Sequence, residues 1–379
     1  AAWSLRQIAM RSAEGRADAI AAIRQAMRSE SPRVRWGATR VFNQHFKYIS
    51  EQWPLGEELI RLSKAEPVPA VKMQAIQGLY QWYFWDRSLE HKGRIEEALI
   101  AGLGREEHPW VRRNFIEGYY NVLDDNLRYL YGSWMVRIKR NEDREIVREG
   151  HQRHVKAQAM RFQAAMHAGN DLMKDGLLRA LHTHVLREGQ GEVDVLDGSP
   201  APETVEGPFL NGYKWFAVHD PLTGGTGARA GTGNDSDPPK FYDESAPLMN
   251  DALLSALDPA SPELVRETLR ALDFLAPFPV DEGLAERMLA LVGGTRGELR
   301  AEVAEAARKH LPGARVAGEK TAARIAGLAA EGDAVAVETM AAILRSPKQK
   351  NLAAHEAVRR AVTERLSAVG ASDAVFPHL

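Results

Sequence analysis

The chain has 379 residues, is 44% hydrophobic and 26% charged, and carries a formal net charge of −2 at pH 7. It contains no cysteine, which excludes disulfides, thiolate zinc sites, iron–sulfur clusters, covalent c-type haem attachment and a cysteine nucleophile within this segment. No run of eighteen or more apolar residues occurs, and the N-terminus lacks the basic-then-apolar layout of a signal peptide, so the sequence reads as soluble with no membrane span.

In chain order, AAWSLRQIA opens the sequence with apolar Ala1, Trp3, Leu5 and Ile8 and reads as the second helix of a pair whose first helix is missing. A stacked array normally starts with a polar-faced cap, so the expectation is a fragment or processed part of a longer protein. A recurring unit follows: SPRVRWGATRVF from Ser31, VPAVKMQAIQGLY from Val68, HPWVRRNFIEGYY from His108, SPELVRETLRAL from Ser261 and RGELRAEVAEAARKHL from Arg296. Taking the first apolar residue of each second helix as anchor gives Val34, Val71, Val111, Val155, Leu264, Leu299 and Val335, at intervals of 37, 40, 44, 109, 35 and 36. Apolar or small residues return about four, five and eight positions after each anchor, which is one stripe of a 3.6-residue helix. The intervening segments 17–28, 55–64, 92–103, 125–140, 171–187, 282–292 and 319–329 are the predicted first helices.

The interval of 109 is too long for one repeat, and its surplus is 188–245, rich in Gly, Pro, Asp and Thr. Inside it, PFLNGYKWFAVHDP predicts a short β-hairpin turning at Asn211-Gly212, and Trp215 and Phe216 need a hydrophobic place to sit. The Gly-rich stretch 224–233 has neither a Walker pattern nor GxGxxG before a helix, and reads as a flexible tip. Residues 1–190 carry 30 Lys+Arg against 23 Asp+Glu, and 191–379 carry 19 against 28, so a basic arm precedes an acidic remainder. The predicted organisation is an N-terminal arm over 1–187, an insertion over 188–245 and an Ala-rich C-terminal arm over 246–379.

Proline before the second helices, an apolar anchor, arginine after it and Ala-rich packing resemble the HEAT repeat family, particularly the short bacterial form also seen in phycobilisome lyases. The resemblance implies an all-α fold, a right-handed α-solenoid of about seven helix pairs with one long, partly β-hairpin insertion. It implies a bacterial protein of the periplasm or the cytoplasm, without deciding between them. Such repeats mostly bind proteins and say little about chemistry.

Among residue types that carry chemistry, His151 and His154 share a helix face, and His182 and His184 lie near the end of the next helix, a candidate metal or haem set. Against it, residues two apart point to different faces, and surface and capping histidines explain the same pattern. His355-Glu356 is similar to the His-Glu pairs of di-iron HEAT hydroxylases, which need several such pairs where this chain has one. The run Trp82-Tyr83-Phe84-Trp85 cannot turn every ring to one core stripe, which makes Trp82, Tyr83 and Trp85, with Trp215 and Phe216, candidate partner-binding residues; a bulky core is the competing reading. A basic ridge including Arg33, Arg35, Arg112, Arg113, Arg137 and Arg148 is interleaved with acids such as Glu142 and Glu145, an ion-paired face more than a phosphate track.

These features favour a non-catalytic protein–protein interaction scaffold, part of a larger bacterial protein or complex, whose partner is another protein or another domain of the same polypeptide. No cofactor is expected within the chain itself. The alternatives are an accessory module beside an upstream haem (c-type cytochrome) or pigment-handling domain, which would supply haem or metal, and a HEAT-like nucleic-acid enzyme, which the charge balance disfavours.

Overall fold

The computed structural model describes residues 2–12, 14–42, 52–86, 88–123, 144–182, 241–274 and 280–311, with isolated helical positions at Arg324, Val335 and Thr339. Regular structure among the described residues is entirely helical. In chain order the helices are α1 (Ala2–Arg11), α2 (Arg16–Met27), α3 (Pro32–Thr39, continued by a 3-10 turn, Arg40–Phe42), α4 (Trp53–Ala65), α5 (Pro69–Trp85), α6 (Leu89–Leu103) and α7 (Pro109–Leu123). They continue with α8 (Arg144–Ala168), α9 (Asp171–His182), α10 (Phe241–Leu254), α11 (Pro262–Phe274), α12 (Glu282–Gly294) and α13 (Gly297–His310).

The expected first helices 17–28, 55–64, 92–103 and 282–292 correspond to α2, α4, α6 and α12, each within a few residues at its ends. The expected helix at 171–187 is described to His182, and those at 125–140 and 319–329, like the hairpin around Asn211-Gly212, lie outside the described residues. Helix α10 begins at Phe241, inside the stretch assigned to the insertion. The chain divides into two compact units, Ala1–Gln158 with Arg179–Asp237 and Ala159–Leu178 with Pro238–Leu379, so the division runs through α8 and α9.

In the first unit α4 packs on α2 and α6, and α5 on α3 and α7, while neighbours in sequence pack as pairs. In the second, α10 packs on α12 and α11 on α13. The local cause is a repeated turn. Pro32, Pro69, Pro109 and Pro262 open α3, α5, α7 and α11, where the missing N–H leaves no bond unmade. Proline holds the preceding residue extended, as at Ser31 (ψ 118°) and Val68 (ψ 113°). The residue three before the proline closes the turn: the side chains of Ser29, Glu66 and Glu106 accept from the N–H of Ser31, Val68 and His108 at 3.2, 3.0 and 3.1 Å.

The stripe read from the sequence is the buried one after five of the anchors; after Val155, Ala159 is buried but Met160 is 53% exposed. After Val71 (0% exposed) come buried Ala75, Ile76 and Leu79, and after Val111 (1%) come Phe115, Ile116 and Tyr119. Leu264 is followed inward by Thr268, Leu269 and Leu272, and Leu299 by Val303, Ala304 and Ala307. Val34 departs from this: it is 46% exposed, and burial in its helix begins one turn later, at Ala38, and runs through Val41 and Phe42 of the 3-10 turn. Helices α6 and α7 approach so closely that a Cβ at Gly102 would collide with the Phe115 ring. The first unit's core is aromatic, with Phe42, Trp82, Tyr83, Phe115 and Tyr119 fully buried, while α10 to α13 bury mostly Leu, Met, Val and Ala.

Candidate functional site

One face of α2 and the start of α4 enclose a groove of about 740 Å³. Its apolar lining is Ala17, Ile20, Ala21 and Pro54, and its polar lining includes Arg16, Arg24 and Arg28. The residues from α2 recur at helical spacing, so one face presents small apolar side chains flanked by guanidiniums. Arg24 and Arg28 are held by one buried acid on the neighbouring helix.

Glu58 of α4 is 2% exposed and meets three arginines that are 42–54% exposed. Its Oε1 accepts from Arg24 Nε at 3.2 Å and from Arg28 Nε at 2.7 Å, with a further bond from Arg28 Nη2. Its Oε2 accepts from Arg61 Nε at 2.7 Å, and Arg61 Nη2 reaches the Met27 carbonyl at 3.0 Å. Burial pushes the Glu58 carboxyl up, but the hydrogen bonds from Arg28, Arg61 and Arg24 outweigh it and hold the group below the usual carboxylate range. The pKa of the Arg28 guanidinium is raised in turn, chiefly by its hydrogen bond to Glu58. One carboxylate neutralises one of three charges, so the cluster keeps a positive excess beside the groove.

A second cluster, at the junction of α4, α5 and α6, shows what the aromatic run does. Trp82 is 1% exposed, packs on Phe42 and Trp53 with ring centroids 5.6 and 5.7 Å apart, and donates from Nε1 to Asp86 Oδ2 at 2.7 Å. The same oxygen meets His91 Nδ1 at 2.8 Å, and the His91 ring stacks on Trp53 at 3.7 Å. Asp86 Oδ1 accepts from Ser88 N at 2.8 Å, while Ser88 Oγ caps α6 by accepting from His91 N at 3.2 Å. A carboxylate orienting an imidazole is a familiar base arrangement. Here the acid is spent on an indole, a turn amide and the ring, and these contacts close the α5–α6 turn.

Tyr83 is fully buried, its hydroxyl 2.9 Å from Glu96 Oε1, which Gln158 Nε2 also approaches at 3.4 Å. Trp82 and Tyr83 are thus core residues in this chain, which corrects their reading as exposed partner-binding rings: Phe42 and Trp53, contributed from about thirty to forty positions away, pack on Trp82, and Lys92 Nζ lies over the Tyr83 ring at 4.6 Å. The Trp85 side chain, and Trp215 and Phe216 altogether, lie outside the described residues, as does the His355-Glu356 pair.

Of the four candidate metal-ligating histidines, His151 and His154 fall in α8 and His182 ends α9, with their side chains outside the described set, and His184 lies beyond it. Among the described residues no group of three His, Asp or Glu side chains is placed to hold a metal ion. Within the basic ridge, Arg35 forks onto Glu66, Arg112 Nη1 donates to the Leu103 carbonyl at 2.7 Å, and Arg113 lies over the Trp110 ring at 5.7 Å. These are structural ties. The Arg24, Arg28, Arg61 and Glu58 cluster was outside that ridge, and its sequence signal is the spacing of four between Arg24 and Arg28 and of three between Glu58 and Arg61.

No helix among the described residues is long and apolar enough to cross a membrane. No protein-family model matches the chain, and no curated protein matches it.

Proposed function

We propose that the chain is a HEAT-type α-solenoid serving as a non-catalytic protein–protein interaction scaffold within a larger bacterial assembly. The observation that carries this reading is the repeat itself. In five helices the positions four, five and eight after the anchor are buried, and in each unit alternate helices pack on one another, as a stacked array requires. The working surface on this reading is the first arm, with the α2–α4 groove in place of the buried Trp82 and Tyr83.

The test is cross-linking of the chain within its native complex, read by mass spectrometry, with an absorbance spectrum of the same sample. Cross-links to a protein partner concentrated before Glu188, without a Soret band, are the expected result. A Soret band would move the assignment to a haem-accessory module, and cross-links concentrated in 260–379 would overturn the choice of surface.

A further inference from the structure

We infer that the α2–α4 groove is a docking site for an acidic, amphipathic peptide segment of a partner protein. The inference rests on the scaffold reading and names the chemistry of its ligand. Three properties of the groove support it. First, Glu58, itself almost fully buried, holds the groove-lining Arg24 and Arg28, with Arg61 tied to the same acid beside the groove, so the guanidiniums stand in place before any ligand arrives and lose less freedom on binding. Second, the three cations share one carboxylate, and the positive excess is complementary to carboxylates, which guanidiniums take in paired, directional hydrogen bonds. Third, between the charges lie Ala17, Ile20, Ala21 and Pro54, an apolar strip with room for side chains.

The apolar strip decides the class of ligand. A nucleic-acid backbone is tracked by a run of cations, with aromatic platforms where bases stack, whereas here the cations are clustered around one acid and the space between them is aliphatic. A peptide carrying acidic residues flanked by aliphatic ones satisfies both halves of the groove at once.

The experiment uses the full chain and fluorescence anisotropy with three labelled probes: a short peptide of glutamate and leucine, its lysine and leucine counterpart, and a single-stranded oligonucleotide. The glutamate–leucine peptide is expected to bind, more weakly as salt is raised, and the other two to bind far less. Ala21→Glu places a like charge on the exposed, helix-compatible face of α2 without touching Glu58, and is expected to weaken binding at least about tenfold. The combined Arg24→Gln, Arg28→Gln and Glu58→Gln variant removes the groove-lining charges of the cluster together with their acid, leaving the half-exposed Arg61 and no stranded buried charge, and is expected to do the same; should it fail to fold, A21E alone decides. No binding of the acidic peptide, equal binding to A21E, or equally tight binding of the oligonucleotide would overturn the inference. None of those results bears on the scaffold reading, which stands or falls on where the native partner cross-links.

Discussion

Arg35 grips Glu66 fork to fork, Nε to Oε2 at 2.7 Å and Nη2 to Oε1 at 2.6 Å, across 31 positions of sequence. The same Oε1 accepts the Val68 N–H that closes the turn before α5, so one carboxylate joins the second helix of one repeat to the turn of the next. One repeat later Lys72 Nζ meets Glu106 Oε2 at 2.8 Å, and Glu106 Oε1 closes the turn before α7. A basic residue one after the anchor and an acid three before the next proline are therefore a linked pair, repeated along the first unit.

Arg35→Ala leaves Glu66, whose side chain is 2% exposed, with its charge half-satisfied. The expected loss is roughly 2 kcal/mol, in the range for a charge-assisted hydrogen bond left unmade, measured by urea denaturation. In a double-mutant cycle with Glu66→Gln the two changes should be clearly non-additive; simple additivity would deny the link.

The anchors separate by burial. Val71→Ala should destabilise by roughly 1.5–3 kcal/mol, the value of a fully buried valine-sized side chain, whereas Val34→Ala, at a position 46% exposed, should stay within about 0.5 kcal/mol. Thermal denaturation of the two variants checks this, and equal effects would contradict the register of α3.

Trp82→Ala should act on stability before it acts on binding. Removing a fully buried indole costs about 3–5 kcal/mol, and it also strips a donor from Asp86. Near-UV circular dichroism and denaturation should report the loss; a stable, well-folded variant that had only lost a partner would restore the exposed reading of this ring.

Gly102→Ala tests the approach of α6 to α7. The added methyl meets the Phe115 ring, and overpacking of this kind costs about 1–3 kcal/mol, although alanine is the better helix former. An increase in melting temperature would show that the helices can part without penalty.

Acid should weaken the first unit through Glu58. Its carboxyl is held below the ordinary value, so the native state binds its proton less readily than the unfolded chain. The stabilisation is present above the ordinary glutamate value of about 4.3 and is lost as pH falls through the lower native value. Stability measured by denaturation across this window should fall less steeply with pH in Glu58→Gln than in the wild type. Identical profiles would remove Glu58 from the acid response.

The helical architecture was legible because α3, α5, α7 and α11 announce themselves locally: a proline for the first turn, an aliphatic anchor, and a stripe at four, five and eight. What escaped the sequence depends on distant partners. Whether Trp82 faces solvent is decided by Phe42 and Trp53, and no pattern within residues 82–85 carries that information. Glu58 reads as one more exposed helix acid until α2 places Arg24 and Arg28 over it from about thirty positions upstream. The turn acids Glu66 and Glu106 were visible as letters before each proline, but their tie to Arg35 and Lys72 appears only when helices two apart are stacked.

The central claim is that this array binds a protein through its first arm, and hydrogen–deuterium exchange of the chain alone and in its native complex tests it most directly. Protection on complex formation is expected within residues 16–123, strongest along α2 and the first turn of α4. Protection confined to α11, α12 and α13, with α2 unchanged, would contradict it.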